Sequence, residues 1–445
     1  MDGPRFHLVG AAGDGMAPLA SLLLELGAEV SGSDLRWGRA LEELAALGAR
    51  ISLGHRPENP DGADAVIYSS AIPQDNPELV EARRAGIPAY PRLHALKALL
   101  SRRRLIAVCG THGKTTTSAW ISYILRRAGL QVGFYIGAEV RGFPRASWGS
   151  EPWFVAEVDE SDGLFLGLQP EIAVLTNVDR DHLGVYRCFR SLAEAFGSFL
   201  YRARLAVFCG DDPVAREISK GVPSISYGLG RGCAVWARNP RPSSRGTSFE
   251  VFVEGRRVGE THLPLFGRHN VLNALAALAV AWALGARPRD LLGFFPELPR
   301  PARRLELFYE NGLALVDDYA HHPREIAVGL EALRSYWPGR RIIALFQPHR
   351  YSRTSALHWE LGAALTAADL AVVAEIYPAF EDPIPGVSGR LIVDRARALG
   401  GKAVFVPDPR DAAERAISAA RDGDVVVCFG AGDVWVPFRR MAAML

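Results

Sequence analysis

Residues 105–118 read Leu-Ile-Ala-Val-Cys-Gly-Thr-His-Gly-Lys-Thr-Thr-Thr-Ser, an apolar run that breaks into a glycine-bearing turn and then a lysine and a row of hydroxyls. Gly110 and Gly113 let the backbone around Thr111 and His112 fold so that several N–H groups converge on one point, and a helix starting at Lys114 adds the partial positive charge of its N-terminus. An anion with several oxygens, such as a phosphate, suits that point. A lysine so placed bridges terminal phosphates, and the hydroxyl of Thr115, followed by Thr116, suits Mg²⁺. The loop is two residues shorter than the general G-x-x-x-x-G-K-[ST] pattern, and a bare G-K-T also closes ordinary tight turns. Its place between a strand-like and a helix-like run favours nucleotide phosphate.

Two further apolar runs end in acids. Residues 154–156 lead into Glu157-Val-Asp-Glu-Ser-Asp162, and residues 172–175 lead into Thr176-Asn-Val-Asp-Arg-Asp-His182. In a parallel sheet such strand ends share one edge. Mg²⁺ takes a few protein oxygens plus substrate phosphates, so Glu157 and Thr115 are expected ligands, with His182 at a second metal. Alone, these acids also read as solvated loop residues or helix caps. A second glycine loop, Gly10-Ala-Ala-Gly13-Asp-Gly15-Met16, follows a short apolar run, with Asp34 about twenty residues on, so a nucleotide diphosphate fits the helix N-terminus there. Its spacing differs from G-x-G-x-x-G, and each glycine also fits a structural turn. Arg350 and Arg353 sit three apart and point the same way if a helix starts there, which suits a planar carboxylate; the alternative is a solvent-facing pair.

The elements that must position these groups alternate. Strand-like runs at 6–9, 29–31 and 65–68 surround a helical stretch at 18–26, and a basic segment at 101–104 precedes the strand at 105–108. Residues 229–262 look like short antiparallel strands, residues 274–286 like a buried helix too short to span a bilayer, and the Pro-rich 296–301 like a linker. Strands at 314–316, 342–346, 370–374, 403–406 and 425–429 follow. The expectation is an α/β protein of three domains: an N-terminal Rossmann-like domain at 1–100, a central P-loop-type ATPase domain with a mainly parallel sheet at 101–297, and a C-terminal Rossmann-like domain at 298–445.

Composition narrows the partners. The 445 residues are 49% hydrophobic and 22% charged, and the net charge of +2 offers no basic surplus for nucleic acid. The five cysteines are scattered without a C-x-x-C pair, which fits a reducing compartment and excludes the common zinc spacings. With neither a signal-peptide pattern nor a membrane span, the expected location is cytoplasmic, as a monomer or weak homodimer.

Taken together, G-T-H-G-K-T-T-T, A-E-x-D-E-S-D and T-N-x-x-x-D-H in that order resemble the Mur ligase family. Residues 267–273 (Gly-Arg-His-Asn-Val-Leu-Asn), Arg303-Arg304-Leu-Glu306 and residues 317–323 (Asp-Asp-Tyr-Ala-His-His-Pro) are similar to further motifs of that family, so the resemblance spans nearly the whole chain. Residues 347–354 (Gln-Pro-His-Arg-Tyr-Ser-Arg-Thr) resemble its alanine-adding members. The resemblance implies a ligase that uses ATP and Mg²⁺ to join L-alanine to UDP-N-acetylmuramate. It implies that Asn270 and Asn273 lie on the adenine side and that Arg304 and Asp318 lie on the ribose and phosphate side. His321, Arg350 and Arg353 would meet the amino acid, and Gly10, Gly13, Gly15, Met16, Asp34, Ser69 and Ser70 the UDP-sugar. The chain departs from the family pattern at Ala11-Ala12, Ala17-Pro18, Gly184 and Leu305. A dinucleotide-dependent oxidoreductase built on the first glycine loop would leave Lys114 and Glu157 unexplained.

Overall fold

The computed structural model describes residues 3–160, 164–180, 186, 188–243, 246–379 and 381–443. They form two compact units, one of Met1–Pro240, Phe249–His262 and Val271–Pro301, the other of Arg241–Ser248, Leu263–Asn270 and Ala302–Leu445.

The first unit opens with a sheet of β1 (Arg5–Val9), β2 (Glu29–Asp34), β3 (Arg50–Leu53), β4 (Ala65–Tyr68) and β5 (Ala89–Pro91), all parallel in the order β3-β2-β1-β4-β5. The order reverses beside β1, so the loop after it opens into a crevice. Helix α1 (Met16–Glu25) starts there and buries Leu19, Leu22 and Leu23, spaced for one helical face. Helices α2 (Arg39–Ala46), α3 (Pro77–Arg84) and α4 (Arg92–Leu100) complete the layers.

The second sheet is built from β6 (Arg104–Cys109), β7 (Gly133–Tyr135), β9 (Ala146–Ser147), β10 (Trp153–Glu157), β11 (Ile172–Leu175), β12 (Leu205–Cys209), β13 (Ser224–Gly228), β14 (Val235–Ser243), β15 (Gly246–Val253) and β16 (Arg256–Leu263). Among the described residues its order is β16-β15-β14-β13-β12-β11-β6-β10-β7-β9, with β6 pairing in parallel with both β10 and β11. The middles of these central strands are apolar and buried because both faces are covered, on one side by α5 (Lys114–Arg127). The run 274–281 lies, fully buried, in the helix Arg268–Ala283.

The Pro-rich stretch is not a free linker. It ends a 3₁₀ helix, Leu292–Glu297, and continues into β17 (Arg300–Pro301), which pairs antiparallel with β8 (Val140–Arg141). The Pro299 carbonyl accepts from the buried Trp120 indole at 2.7 Å. A two-residue ribbon tolerates a proline because few ladder donors are needed.

The second unit carries β18 (Glu306–Asn311), β19 (Leu313–Asp318), β20 (Ile342–Phe346), β21 (Leu370–Val373), β22 (Ala403–Phe405) and β23 (Val425–Phe429), in the order β18-β19-β23-β20-β21-β22. All pair in parallel except β18, an antiparallel edge strand absent from the sequence reading. Its Glu-Leu-Phe-Tyr-Glu-Asn run is half-exposed and lacks clean alternation.

Candidate active site

The turn between β6 and α5 has the conformation its glycines allow. Gly110 has φ +120° and Gly113 φ +82°, and a side chain at Gly110 would place Cβ 2.3 Å from Thr176 Oγ1. The turn is braced from the end of β11: Thr176 Oγ1 donates to His112 O at 2.7 Å, Asn177 Oδ1 accepts from His112 N at 2.9 Å, and Asp179 N donates to Thr111 Oγ1 at 2.9 Å. His112 Nε2 lies 3.2 Å from Asp179 Oδ2. Thr116 and Thr117 are buried in the first helical turn, where Thr117 donates to Asn273 Oδ1 at 3.2 Å.

Lys114 points back over the turn. Its Nζ donates to Gly110 O at 2.8 Å and to Glu160 at 2.9 and 3.1 Å. Burial works against its charge, but Glu160 and then Asp159 outweigh burial and hold the ammonium well above the ordinary lysine range. Thr115 Oγ1 donates to Glu157 Oε1 at 3.0 Å, and Gly137 N to Glu157 Oε2 at 2.8 Å. Burial pushes the Glu157 carboxyl up; the Gly137 N–H and Lys114 oppose it. Two cis ligands of an octahedral Mg²⁺ lie about 3 Å apart, so the Thr115–Glu157 oxygen pair fits one hard cation. His182 lies outside the described residues, as do Asp162 and Gly184.

The first glycine loop closes on itself. Gly10 and Ala11 donate their N–H groups to Ser33 O, both at 2.9 Å, and Ala12 N donates to Asp34 Oδ2 at 2.9 Å. Gly10 has φ +79°. Gly13 O accepts from Met16 N at 2.8 Å. The Met16 side chain belongs to the core, so only its backbone faces the loop. Ser69, after β4, donates its N–H to Val9 O; Ser70 beside it is exposed. Asp14, Gly15, Arg92, Tyr135 and Glu157 line a cavity of about 310 Å³, which brings the first glycine loop and the Glu157 carboxylate to one space.

In the second unit Asp318 is buried at the end of β19, accepting from Ala320 N at 3.1 Å, and burial pushes its carboxyl up to about 7 against the pull of Arg304. Arg304 lies over the Tyr319 ring and 3.6 Å from Glu325. His321 donates its N–H to Glu325 at 3.0 Å. Arg350 is the N-cap of the helix Tyr351–Leu365 with φ +72°, exposed, while Arg353, one turn on, reaches His349 Nδ1 at 3.3 Å. Asn270 donates through Nδ2 to Phe266 O at 2.7 Å; Asn273 follows one turn later on the same helix.

Glu160, Asn177, Tyr135 and Gly137 were not singled out from the sequence. Glu160 sat inside the acidic run without a partner to mark it, and Asn177 inside the motif before His182. Nothing local marks Tyr135 or Gly137, whose roles come from strands paired across the sheet.

Residues 5–104 match the model described as Mur ligase family, catalytic domain; residues 108–281 match the Mur ligase middle domain; residues 303–432 match the Mur ligase glutamate ligase domain. The chain is 39% identical to the UDP-N-acetylmuramate–L-alanine ligase of Trichlorobacter lovleyi, over 97% of this chain and 96% of the relative. It is 41% identical to the enzyme of the same name from Xanthomonas euvesicatoria, over 97% and 93%. The solved UDP-N-acetylmuramate–alanine ligase of Thermotoga maritima superposes with a TM-score of 0.84 at 28% identity, covering 99% of this chain and 98% of that one. A murein peptide ligase from Psychrobacter arcticus shares the fold, with a TM-score of 0.74 at 24% identity over 99% and 98%. With its motifs in register and nearly its whole length matched, this chain belongs to the Mur ligase family.

Proposed function

We propose that the chain is an ATP-dependent ligase that joins L-alanine to the lactyl carboxylate of UDP-N-acetylmuramate, the first peptide step of peptidoglycan precursor synthesis. The observation that carries the reading is the placement of Lys114 and Thr115, at the start of the helix after β6, against Glu160 just past and Glu157 at the end of the neighbouring parallel strand β10, in a chain aligned along its length with ligases of that name. We assign 1–100 to the UDP-sugar, 101–297 to ATP and 298–445 to the amino acid, in the cytoplasm.

A carboxylate oxygen of the lactyl group attacks the γ-phosphorus, the bond to the β-phosphate oxygen breaks, and ADP leaves an acyl phosphate. The alanine amine then adds to the acyl carbon, loses a proton, and the tetrahedral intermediate expels inorganic phosphate as the amide forms. Lys114 and the N-terminus of α5, which begins at Lys114, hold the phosphates in line. Thr115 and Glu157 would hold Mg²⁺, which would neutralise charge on the transferring phosphoryl, and His182 would hold a second ion. Arg350 and Arg353 clamp the alanine carboxylate, and His321 orients its amine. Asn270, Asn273, Arg304 and Asp318 hold the nucleoside end of ATP. No covalent protein intermediate is required, so the protein's main task is positioning.

Phosphate release by the purified chain with ATP and Mg²⁺ tests this. Release should require both UDP-N-acetylmuramate and L-alanine, stop when Mg²⁺ is chelated, and fall at least about a thousandfold in Lys114→Ala. Release that ignores either substrate would refute the assignment.

A further inference from the structure

Tyr135 closes β7 with 2% of its surface exposed, yet its hydroxyl is fully engaged. It donates to the carbonyl of Gly15 at 2.8 Å and accepts from Arg92 Nη1 at 2.7 Å. In the same ribbon Arg145 donates through Nη2 to the carbonyl of Asp14 at 2.6 Å and to its Oδ1 at 3.3 Å. The two are held together by Ile136 N, which donates to Arg145 O at 2.8 Å.

Two consecutive carbonyls of the first glycine loop are therefore gripped from the second sheet. A trans peptide is planar, so fixing the carbonyl of Asp14 aims the N–H of Gly15, and fixing that of Gly15 aims the N–H of Met16. The N–H of Gly15 opens α1, the end of a helix that attracts phosphate, while that of Met16 turns back to the carbonyl of Gly13 and fixes the loop's shape. Arg92 packs directly over Gly15: a Cβ there would stand 2.6 Å from Arg92 Nη1, and the guanidinium would have to shift.

The other end of the connection is the metal-side carboxylate. Gly137, two residues beyond Tyr135, donates its N–H to Glu157, and Glu157 accepts from Thr115. An unbroken line of short contacts thus runs from the first glycine loop, through the end of β7, to the phosphate turn.

We infer that Tyr135 is a positioning residue that couples the sugar-nucleotide loop to the ATP loop, so that occupancy of one sharpens the other. This rests on the ligase reading above. Tyr135→Phe keeps the ring and removes only the hydroxyl. Calorimetric titration of UDP-N-acetylmuramate, with and without a saturating non-hydrolysable ATP analogue and Mg²⁺, measures the coupling as the ratio of the two affinities.

In Tyr135→Phe the affinity for the ATP analogue alone should stay within about twofold, the affinity for UDP-N-acetylmuramate should fall about tenfold, and the coupling ratio should approach one, at a melting temperature lowered by no more than a few degrees. Arg145→Gln, which loosens the neighbouring carbonyl, should act in the same direction and serves if the tyrosine variant does not fold. Wild-type coupling of one, or a variant that retains wild-type sugar affinity and coupling, overturns the inference. So does parallel loss of both affinities with a melting temperature lowered beyond that, the mark of a merely structural role. Phosphate release by the wild type is measured first: its absence overturns the ligase reading, whereas an active wild type with an indifferent Tyr135→Phe overturns the coupling alone.

Discussion

Glu78 has no exposed surface, and its carboxylate sits behind the first glycine loop. Ser33, whose carbonyl receives Gly10 and Ala11, donates its hydroxyl to Glu78 at 2.7 Å; His55 Nδ1 lies at 3.2 Å, His7 Nε2 at 3.6 Å, and Asn59 also donates to it. Burial pushes this carboxyl up, but His7, Ser33 and Asn59 win and hold it at about 2, below its ordinary 4.5. A depressed folded value means that the stabilisation is complete above pH 4.5 and is lost as the pH falls from there towards 2. Glu78→Gln should therefore be less stable than the wild type by roughly 1–3 kcal/mol at neutral pH, with the gap closing below about pH 4.5. Guanidinium unfolding at pH 7, 5 and 3 checks this; a gap that stays constant at pH 3 would refute it. Lys114 and Glu157 were legible as single residues because their chemistry is written into a local motif. Glu78 and Tyr135 were not, since what each does depends on partners from other strands.

Between elements, the glycines separate backbone strain from crowding. Gly113 has φ +82° and a Cβ there would meet Asn273 Oδ1 at 2.7 Å, whereas Gly129, just past α5 with φ +96°, has nothing within 4 Å. Gly129→Ala should cost about 1 kcal/mol of stability and leave nucleotide affinity alone; Gly113→Ala should cost more and also weaken binding of an ATP analogue by at least about tenfold. Thermal melts and titrations of the two variants would show it, and equal affinity in both would remove Gly113 from the site. The helices at 18–26, after Lys114 and at 274–286 and the central strands at 105–108, 154–156 and 172–175 were readable because their apolar patterns are local. The edge strand β18 was missed because edge exposure blurs alternation, and the prolines at 296–301 suggested a linker because β17 is held by a distant strand and an indole.

Two units with their own buried clusters should not melt as one. One core runs from Leu8 to Val222, so that residues on both sides of the proposed boundary near 100 share it; another lies wholly between Leu305 and Phe429. Differential scanning calorimetry should resolve two transitions. An ATP analogue with Mg²⁺ at about a hundred times its Kd should raise the midpoint in the wild type and not in Lys114→Ala. A single two-state transition would contradict the separate cores. The chain's order of residues was enough to read the α/β class, both glycine loops, the acids that follow them and the family, because turn sterics, helix polarity and strand periodicity act over a few neighbours. It did not reveal that Glu160 would meet Lys114 or that Tyr135 would grip Gly15. Apolar strands are interchangeable in pattern, and their order in the sheet, which sets those meetings, emerges only when all of them pack at once.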